Sequence, residues 1–264
     1  MISGEPGVPA RDVVSPLALV NAPVRSALLE DLSARLAAGE GFSVATMNLD
    51  HLAKLRHSDC FDAAYRQHSH VVADGRPVVW LRALAGAPVE LVPGSELIHP
   101  LMAIAARQGV PVGFLGTTEA ALDEAARRLE AAHPGLRVVA RVSPSFGFDP
   151  EGPEADAALQ AMASAGARLI LVALGAPKQE VLAVRGQARF PQCGFVSVGA
   201  GIDFIAGTQR RAPRWVRRLA MEWLWRLLND PRRLAGRYLN CFLVLPALML
   251  AALRMRRAAG SSSR

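Results

Sequence analysis

Short apolar runs alternate with amphipathic stretches along most of this chain. The runs lie at 42–48, 70–74, 110–116, 136–143, 168–175 and 193–201. A strand that is buried on both faces reads as a continuous apolar run, which is typical of parallel sheets covered by helices. The pattern therefore predicts an α/β, Rossmann-like body with a parallel sheet of roughly six strands, flanked by helices.

The stretches between these runs carry apolar residues at helical spacing. The clearest is 117–135, which starts with threonine and ends with Pro-Gly, the usual start and stop signals of a helix. Further helices are predicted at 26–39, 49–58, 77–86, 96–109, 153–166 and 176–189. Pro100 predicts an interruption or kink in the helix at 96–109, because proline removes one backbone hydrogen bond.

The basic residues are concentrated near the C-terminal end. From Gln209 onward there are thirteen Arg and two acidic residues, a net charge of +11, whereas residues 1–208 carry a net charge of −4. Such a block beside an acidic body points to a polyanionic partner: anionic lipid, a phosphate-bearing substrate or nucleic acid. We divide the chain into a flexible lead-in (1–24), an α/β domain (25–208), a basic helical, membrane-associating appendage (209–257) and a disordered tail (258–264).

The appendage itself has two parts. Residues 214–230 predict an imperfectly amphipathic helix whose Arg and Trp side chains suit a bilayer interface. Residues 238–253 are mostly apolar but shorter than the roughly 20 residues that a span needs, and Pro246 is expected to interrupt a helix there. These features favour shallow insertion, with the Arg residues at 254–257 among anionic headgroups; packing on the body is the alternative.

The cysteine and histidine patterns exclude some classes of protein. Three Cys are scattered without paired spacing and six His show no metal-ligand spacing, so neither a disulfide framework nor a metal site is predicted. This usage fits a reducing compartment. The N-terminal segment also lacks the basic and long apolar parts of a signal peptide.

Candidate chemistry lies where the predicted strands end, because ligands bind at the carboxyl ends of parallel strands. Asp74 ends one apolar run and precedes a glycine, so it is either a general base facing the crevice or a turn residue. Thr46 and Asn48 end another run, where they could orient a substrate hydroxyl or simply cap a helix. Gly116 and Asp203 lie in Gly-rich turns suited to a phosphate near backbone N–H groups.

The run GAPKQE at 175–180 adds Gln179 as a candidate ligand contact, whereas Glu180 is explained by the helix dipole. The chain contains neither GxGxxG, nor a P-loop motif, nor Asp-x-Asp. NAD binding, nucleotide hydrolysis and a metal-held sugar diphosphate therefore lose their usual support. A nucleotide-dependent oxidoreductase and a non-enzymatic polyanion-binding protein both remain open as functions at this point.

Six segments together resemble one family. They are ATMN (45–48), VVADGRPVVWLRALAG (71–86), VGFLGT (112–117), LVALGAPKQE (171–180), VGAGIDFIAGTQRRAP (198–213) and MEWLWRLLNDPRRLAGRY (221–238). Their order and spacing are similar to those of the WecG/TagA/CpsF family of bacterial glycosyltransferases, over about residues 25–240. In one departure, Leu91 and Val92 stand where many members carry a basic residue, which leaves the donor sugar open.

The resemblance implies an inverting transferase without metal or other cofactor. Its expected partners are a UDP-sugar donor (N-acetylmannosamine, its uronic acid or glucuronic acid type), a polyprenyl-diphosphate-linked acceptor and an anionic membrane surface. No nucleic acid is expected, and a homo-oligomer is compatible with the sequence. The implied location is peripheral, at the cytoplasmic face of the bacterial inner membrane.

The resemblance also implies roles for individual residues. Asp74 is expected to deprotonate the acceptor hydroxyl, beside acceptor or donor contacts from Thr46 and Asn48. Gln179 is expected in the donor pocket. Tail arginines are expected to close over the site and bind the diphosphate; the candidates are Arg210, Arg211 and Arg214. Arg suits this task because its planar fork binds phosphate oxygens bidentately.

Overall fold

The fold was analysed in a computed structural model that describes residues 15–209, 212, 213, 216, 222–229 and 231–262. Its centre is a six-stranded sheet of β1 (Phe42–Met47), β2 (His70–Ala73), β3 (Val112–Gly116), β4 (Val138–Val142), β5 (Leu169–Ala173) and β6 (Gly194–Ser197). The strand order is β2-β1-β6-β5-β3-β4, and every neighbouring pair is parallel. The predicted α/β, Rossmann-like fold is therefore confirmed.

Helices connect these strands. They are α1 (Arg25–Ala38), α2 (Leu49–Lys54), α3 (Asp59–Gln67), α4 (Arg76–Leu84), α5 (Gly94–Gln108), α6 (Glu119–Ala132), α7 (Pro153–Ser164), α8 (Lys178–Arg189) and α9 (Gly201–Ala206). On one face of the sheet, α1, α5, α6 and α9 bury apolar side chains against it. On the other face, α2, α3 and α4 form a second cluster, and α7 and α8 a third.

Alternation along β1 explains why both faces need a cover. Val44 belongs to the core of the first face, whereas Ala45 and Met47 belong to that of the second. The connection after β1 enters α2 on the second face, while the connection after the neighbouring strand β6 enters α9 on the first. Because the two connections separate, the carboxyl ends of β1 and β6 border a crevice.

Two helix predictions are corrected by the structure. The helix expected at 49–58 ends at Lys54, and α3 follows as a separate helix for which we had no prediction. Pro100 does not interrupt the helix, because α5 runs on from Gly94 to Gln108, and a kink at Pro100 stays a prediction. The turns around Pro100 are packed against the core through Leu97 and Leu101, both fully buried, and this packing offsets the missing backbone hydrogen bond.

The described part of the predicted lead-in lies against the body. Residues 16–19 form a 3₁₀ turn, and Leu17 and Val20 are buried in the core of the second face. Arg82 donates to the Leu17 carbonyl at 3.0 Å. Whether residue 25 begins an independent domain stays a prediction.

The appendage contains α10 (Glu222–Asn229) and α11 (Pro231–Ser262). The expected interruption at Pro246 is wrong, because α11 continues through it. Leu248 and Ala252 bury one side of α11 in the cluster beneath α2 and α4, and this packing holds the helix on the C-terminal side of the proline. The helix also runs through residues 258–262, which the sequence assigned to a disordered tail.

The opposite side of α11 is apolar and exposed. Its side chains recur at helical spacing and are those of Leu239, Phe242, Leu243, Met249, Leu250 and Leu253. By length and composition, the 23 residues Tyr238–Gly260 could cross a membrane, a test that core helices of soluble proteins also pass. One side of this helix packs on the body, as one of the two alternatives predicted. The other side is exposed and apolar, and its insertion in a bilayer stays a prediction.

Candidate active site

Asp74 lies at the carboxyl end of β2, next to the end of β1. Its backbone N–H donates to the Met47 carbonyl at 2.7 Å, which continues the β1–β2 ladder by one residue. Gly75 then turns the chain into α4 with a φ of 111°, a value that favours glycine. Asp74 is half-buried. Burial raises the pKa of Tyr65 well above its usual value, and the negative charges of Glu180, Asp74 and Asp50 raise it further.

Asn48 stands beside Asp74 on the neighbouring strand end. A Cβ placed on Gly75 would lie 3.9 Å from the Asn48 Cβ, so the two strand ends are in contact. Asn48 caps α2 by accepting from the His51 backbone N–H at 3.0 Å, as its residue type predicts. It is partly exposed, whereas Thr46, two residues earlier, is buried and packs near Gly94. The structure thus brings Asn48 to Asp74, while Thr46 lies beneath the surface.

Gln179 is buried and joins two elements at the crevice. Its amide oxygen accepts from the Gly199 N–H at 3.1 Å, and its amide nitrogen donates to Glu180 Oε1 at 2.8 Å. Gln179 therefore ties the start of α8 to the loop after β6. A role in the donor pocket stays a prediction, and both atoms of the amide already have protein partners.

Glu180 is a residue whose environment sequence reasoning missed. It is completely buried, and burial raises the pKa of its carboxyl to about 7. The Lys54 cation opposes this rise in pKa, and the Asp50 carboxylate adds to it. Lys54 itself forms an ion pair with Asp50 at 2.9 Å. A glutamate in the first turn of a helix carries no sequence signal of burial, because the helix dipole explains it equally well.

His51 and Tyr65 were also missed as site residues. Both are buried, and His51 Nδ1 lies 2.7 Å from the Tyr65 hydroxyl and 4.0 Å from Glu180 Oε1. The sequence offers no metal-ligand spacing at His51, and Tyr65 lies on α3, a helix that the apolar pattern does not predict. These groups form a polar layer directly beneath Asn48.

Gly116 and Asp203 lie together at another part of the same edge. A Cβ on Gly116 would collide with the backbone of Ala173, so glycine is required there by the close approach of β3 and β5. Asp203 Oδ1 accepts from the Thr117 hydroxyl at 2.6 Å and from the Thr208 hydroxyl at 3.1 Å. Oδ2 accepts from Gln209 at 3.4 Å. Both residues have a structural explanation, and their contact with substrate stays a prediction.

The three tail arginines, Arg210, Arg211 and Arg214, lie outside the described residues. The chain enters that segment at Gln209, which Asp203 holds. Within the described part of the chain, no group of three or more His, Cys, Asp or Glu side chains is placed to hold a metal ion. The expected independence from metals is therefore a matter for experiment.

A parallel α/β sheet with polar side chains gathered where its connections separate is the architecture of proteins that bind a ligand at the carboxyl edge, often a nucleotide. Within that class, the chain belongs to the glycosyl transferase WecG/TagA/CpsF family, whose model matches residues 17–260. It is therefore a glycosyltransferase of cell-wall or polysaccharide synthesis, with a sugar-nucleotide donor and a lipid-linked acceptor in general. The resemblance seen in the sequence is confirmed, and the oxidoreductase and non-enzymatic alternatives fall away.

Proposed function

We propose that the protein is an inverting, metal-independent transferase. It moves a sugar from a UDP-sugar of the N-acetylmannosamine, N-acetylmannosaminuronic acid or glucuronic acid type onto a polyprenyl-diphosphate-linked saccharide of a bacterial surface or exopolysaccharide. The observation that carries the proposal is the place of Asp74: a half-buried residue at the carboxyl edge, where the backbone of β2 is hydrogen-bonded to the end of β1 just before Asn48.

The proposed reaction needs one base on the acceptor side. Asp74 accepts the proton of the acceptor hydroxyl as that oxygen attacks the anomeric carbon. The bond from the anomeric carbon to the diphosphate oxygen of UDP breaks on the opposite side, so one displacement inverts the configuration. A positioned general base contributes typically ~10²- to 10⁴-fold to such a step.

The departing UDP carries negative charge that must be met. Arg210, Arg211 and Arg214 follow directly on the loop that Asp203 anchors. Their guanidinium groups suit phosphate oxygens, and we assign them to the diphosphate. The resemblance to the family supports this assignment.

The outward side of α11 supports a peripheral location at the membrane that carries the lipid acceptor. Leu243 is 69% exposed and Phe242 53%, and Arg254, Arg256 and Arg257 follow on the same helix. Each arginine near an anionic surface is worth about 1 kcal/mol. We expect Phe242→Glu/Leu243→Glu to abolish co-sedimentation with vesicles containing anionic lipid. Unchanged binding of this variant would place the membrane contact elsewhere.

The central test is a screen of UDP-sugars against a synthetic polyprenyl-diphosphate-linked acceptor, read as UDP release and as lipid-linked product. Asp74→Asn should lower kcat by about 100-fold or more, because it keeps the shape and removes the base. Asp62→Asn is the matched control, because Asp62 pairs with Arg66 on the surface of α3.

Two further readings complete this test. Turnover should persist in excess chelator, and NMR of the product should show the anomeric configuration opposite to that of the donor. Normal turnover of Asp74→Asn would remove Asp74 as the base. Loss of turnover on chelation, restored by a divalent cation, would overturn the metal-independent mechanism.

A further inference from the structure

Four polar groups form a continuous series of hydrogen bonds, here called the relay, beneath the proposed sugar site. They are the Asn48 amide, the His51 imidazole, the Tyr65 hydroxyl and the Thr46 carbonyl. Asn48 Nδ2 lies 3.3 Å from His51 Nε2, and His51 Nδ1 lies 2.7 Å from the Tyr65 hydroxyl. The Tyr65 hydroxyl in turn lies 3.3 Å from the Thr46 carbonyl oxygen. The relay thus starts at the partly exposed Asn48 and runs through the buried side chains of His51 and Tyr65. It ends at Thr46 in β1, two residues before Asn48 in the sequence.

Only one assignment of donors and acceptors satisfies all the hydrogen bonds of the relay. Asn48 Oδ1 accepts from the His51 backbone N–H, so the amide presents its nitrogen, a donor, to the imidazole. His51 Nε2 must then accept, which places the ring proton on Nδ1. The Nδ1–H donates to the Tyr65 oxygen, and the Tyr65 hydroxyl proton is left for the Thr46 carbonyl. Each of these three hydrogen bonds thus joins one donor to one acceptor.

The capping of α2 by itself does not require this arrangement. The cap uses only Asn48 Oδ1 and the His51 backbone N–H, which any residue at position 51 except proline could supply. Burying an imidazole and a phenol costs free energy unless both are hydrogen-bonded, whereas an apolar pair would fill the same space without needing partners. The polar pair therefore serves something other than the cap.

We propose that His51, held by Tyr65, is a positioning residue for the transfer reaction: it fixes the Asn48 amide so that its second N–H is offered to a substrate oxygen beside Asp74. The inference rests on the proposed function, because it takes the edge next to Asp74 as the sugar site. His51 itself touches no substrate. It acts through Asn48, in the single tautomer that the chain of hydrogen bonds allows.

The charged groups around His51 bear on that tautomer. Glu180 faces its Nδ1 from α8, and the Asp74 and Asp50 carboxylates act on the adjoining Tyr65 from β2 and α2. A second proton on His51 would place an N–H opposite the amide nitrogen of Asn48, donor against donor. The positioning contact therefore exists only with the neutral imidazole.

The kinetic test is a double-mutant cycle between Tyr65 and Asn48. Tyr65→Phe removes one oxygen and keeps the edge-on ring contacts with Phe61 and His68. We expect it to lower kcat about tenfold with little change in the KM of the sugar nucleotide, and to have less than about a twofold effect in an Asn48→Ala background. Independent effects that multiply, or full activity of Tyr65→Phe, would overturn the proposal.

His68→Phe is the matched control for packing. His68 is buried against the Tyr65 ring, and its two ring nitrogens have no hydrogen-bond partner within the described part of the chain. Since it lies outside the relay, His68→Phe should leave kcat unchanged. A loss equal to that of Tyr65→Phe would assign the effect to packing of α3 and overturn the relay.

A second measurement does not depend on the choice of substrate. Long-range ¹⁵N–¹H spectra of the labelled full chain, assigned with His51→Gln, should show His51 protonated at Nδ1 and bare at Nε2 at neutral pH. Tyr65→Phe should change these shifts and His68→Phe should not. The opposite tautomer overturns the relay, whereas an inactive wild-type enzyme with the expected tautomer would overturn only the proposed donor or acceptor.

Discussion

Two aspartates follow strands of the same sheet edge, and their surroundings differ. Asp203 is tied by its carboxylate to three side chains of neighbouring loops. Asp74 instead stands beside the partly exposed Asn48, above a layer of buried polar groups that includes Glu180. The difference teaches that an aspartate after a strand is not enough to identify a base. Asp203 braces two loops through its carboxylate, whereas the role of Asp74 as a base stays a prediction that rests on its place at the strand ends.

The largest loss of stability should follow a substitution at Gly116, in the part of the sheet edge that contains Asp203. Gly116→Ala places a Cβ against the backbone of Ala173 at a φ of 131°, so we expect a loss of about 3 kcal/mol or more in the free energy of unfolding. Urea denaturation measures it. Gly175→Ala is the control, because a Cβ there meets no described atom within 4 Å. Equal stability of the two variants would contradict the close approach of β3 and β5.

The next largest effect is a pH dependence of the free energy of unfolding, caused by Glu180 in the part of the sheet edge that contains Asp74. The carboxyl of Glu180 has a pKa of about 7 in the folded protein, against an ordinary value of 4.5. Between these values the native state holds a proton that the unfolded state has lost, so the contribution of Glu180 to the free energy of unfolding falls as pH rises from about 5 to 8. Over this range the contribution of Glu180 to the free energy of unfolding changes by about 3 kcal/mol at most.

Glu180→Gln should remove this dependence. Its free energy of unfolding relative to the wild type should therefore rise between pH 5 and pH 8, as measured by urea denaturation at several pH values. A difference that stays constant over this range would show that Glu180 is not buried as described. Glu180 would then no longer distinguish the two ends of the edge.

The smallest effect should come from Asp203 itself. Asp203→Ala leaves the Thr117 hydroxyl without its acceptor, whereas the Thr208 hydroxyl keeps the backbone carbonyl of residue 203 at 3.2 Å. We therefore expect a loss of about 1 kcal/mol in the free energy of unfolding. Because Gln209 leads into the segment of Arg210 and Arg211, we also expect a higher KM for the sugar nucleotide with a smaller change in kcat. Steady-state kinetics measure both. A kcat as low as that of Asp74→Asn, at unchanged stability, would reverse the roles of the two aspartates.

The place of some candidate residues at the sheet edge was predictable, because the signals for it are local. Asp74 and Asn48 end apolar runs, and parallel strands bring their carboxyl ends to one edge. Gln179 lies in a motif of its own. The buried polar layer beneath Asn48 was not predictable: Glu180 lies near His51 from 129 positions along the chain, and Tyr65 lies on a helix that periodicity did not reveal. Burial of a glutamate depends on what packs over it, which a local pattern does not record.

The sequence by itself determined that the chain forms a parallel α/β sheet with a basic appendage, since apolar runs and charge are properties of each segment alone. The order β2-β1-β6-β5-β3-β4, and with it the crevice between β1 and β6, was decided only by tertiary packing. The same holds for α11, which passes Pro246 because Leu248 and Ala252 are buried against the body. Pairing and packing join distant segments, and their free energy outweighs the local preference of one proline.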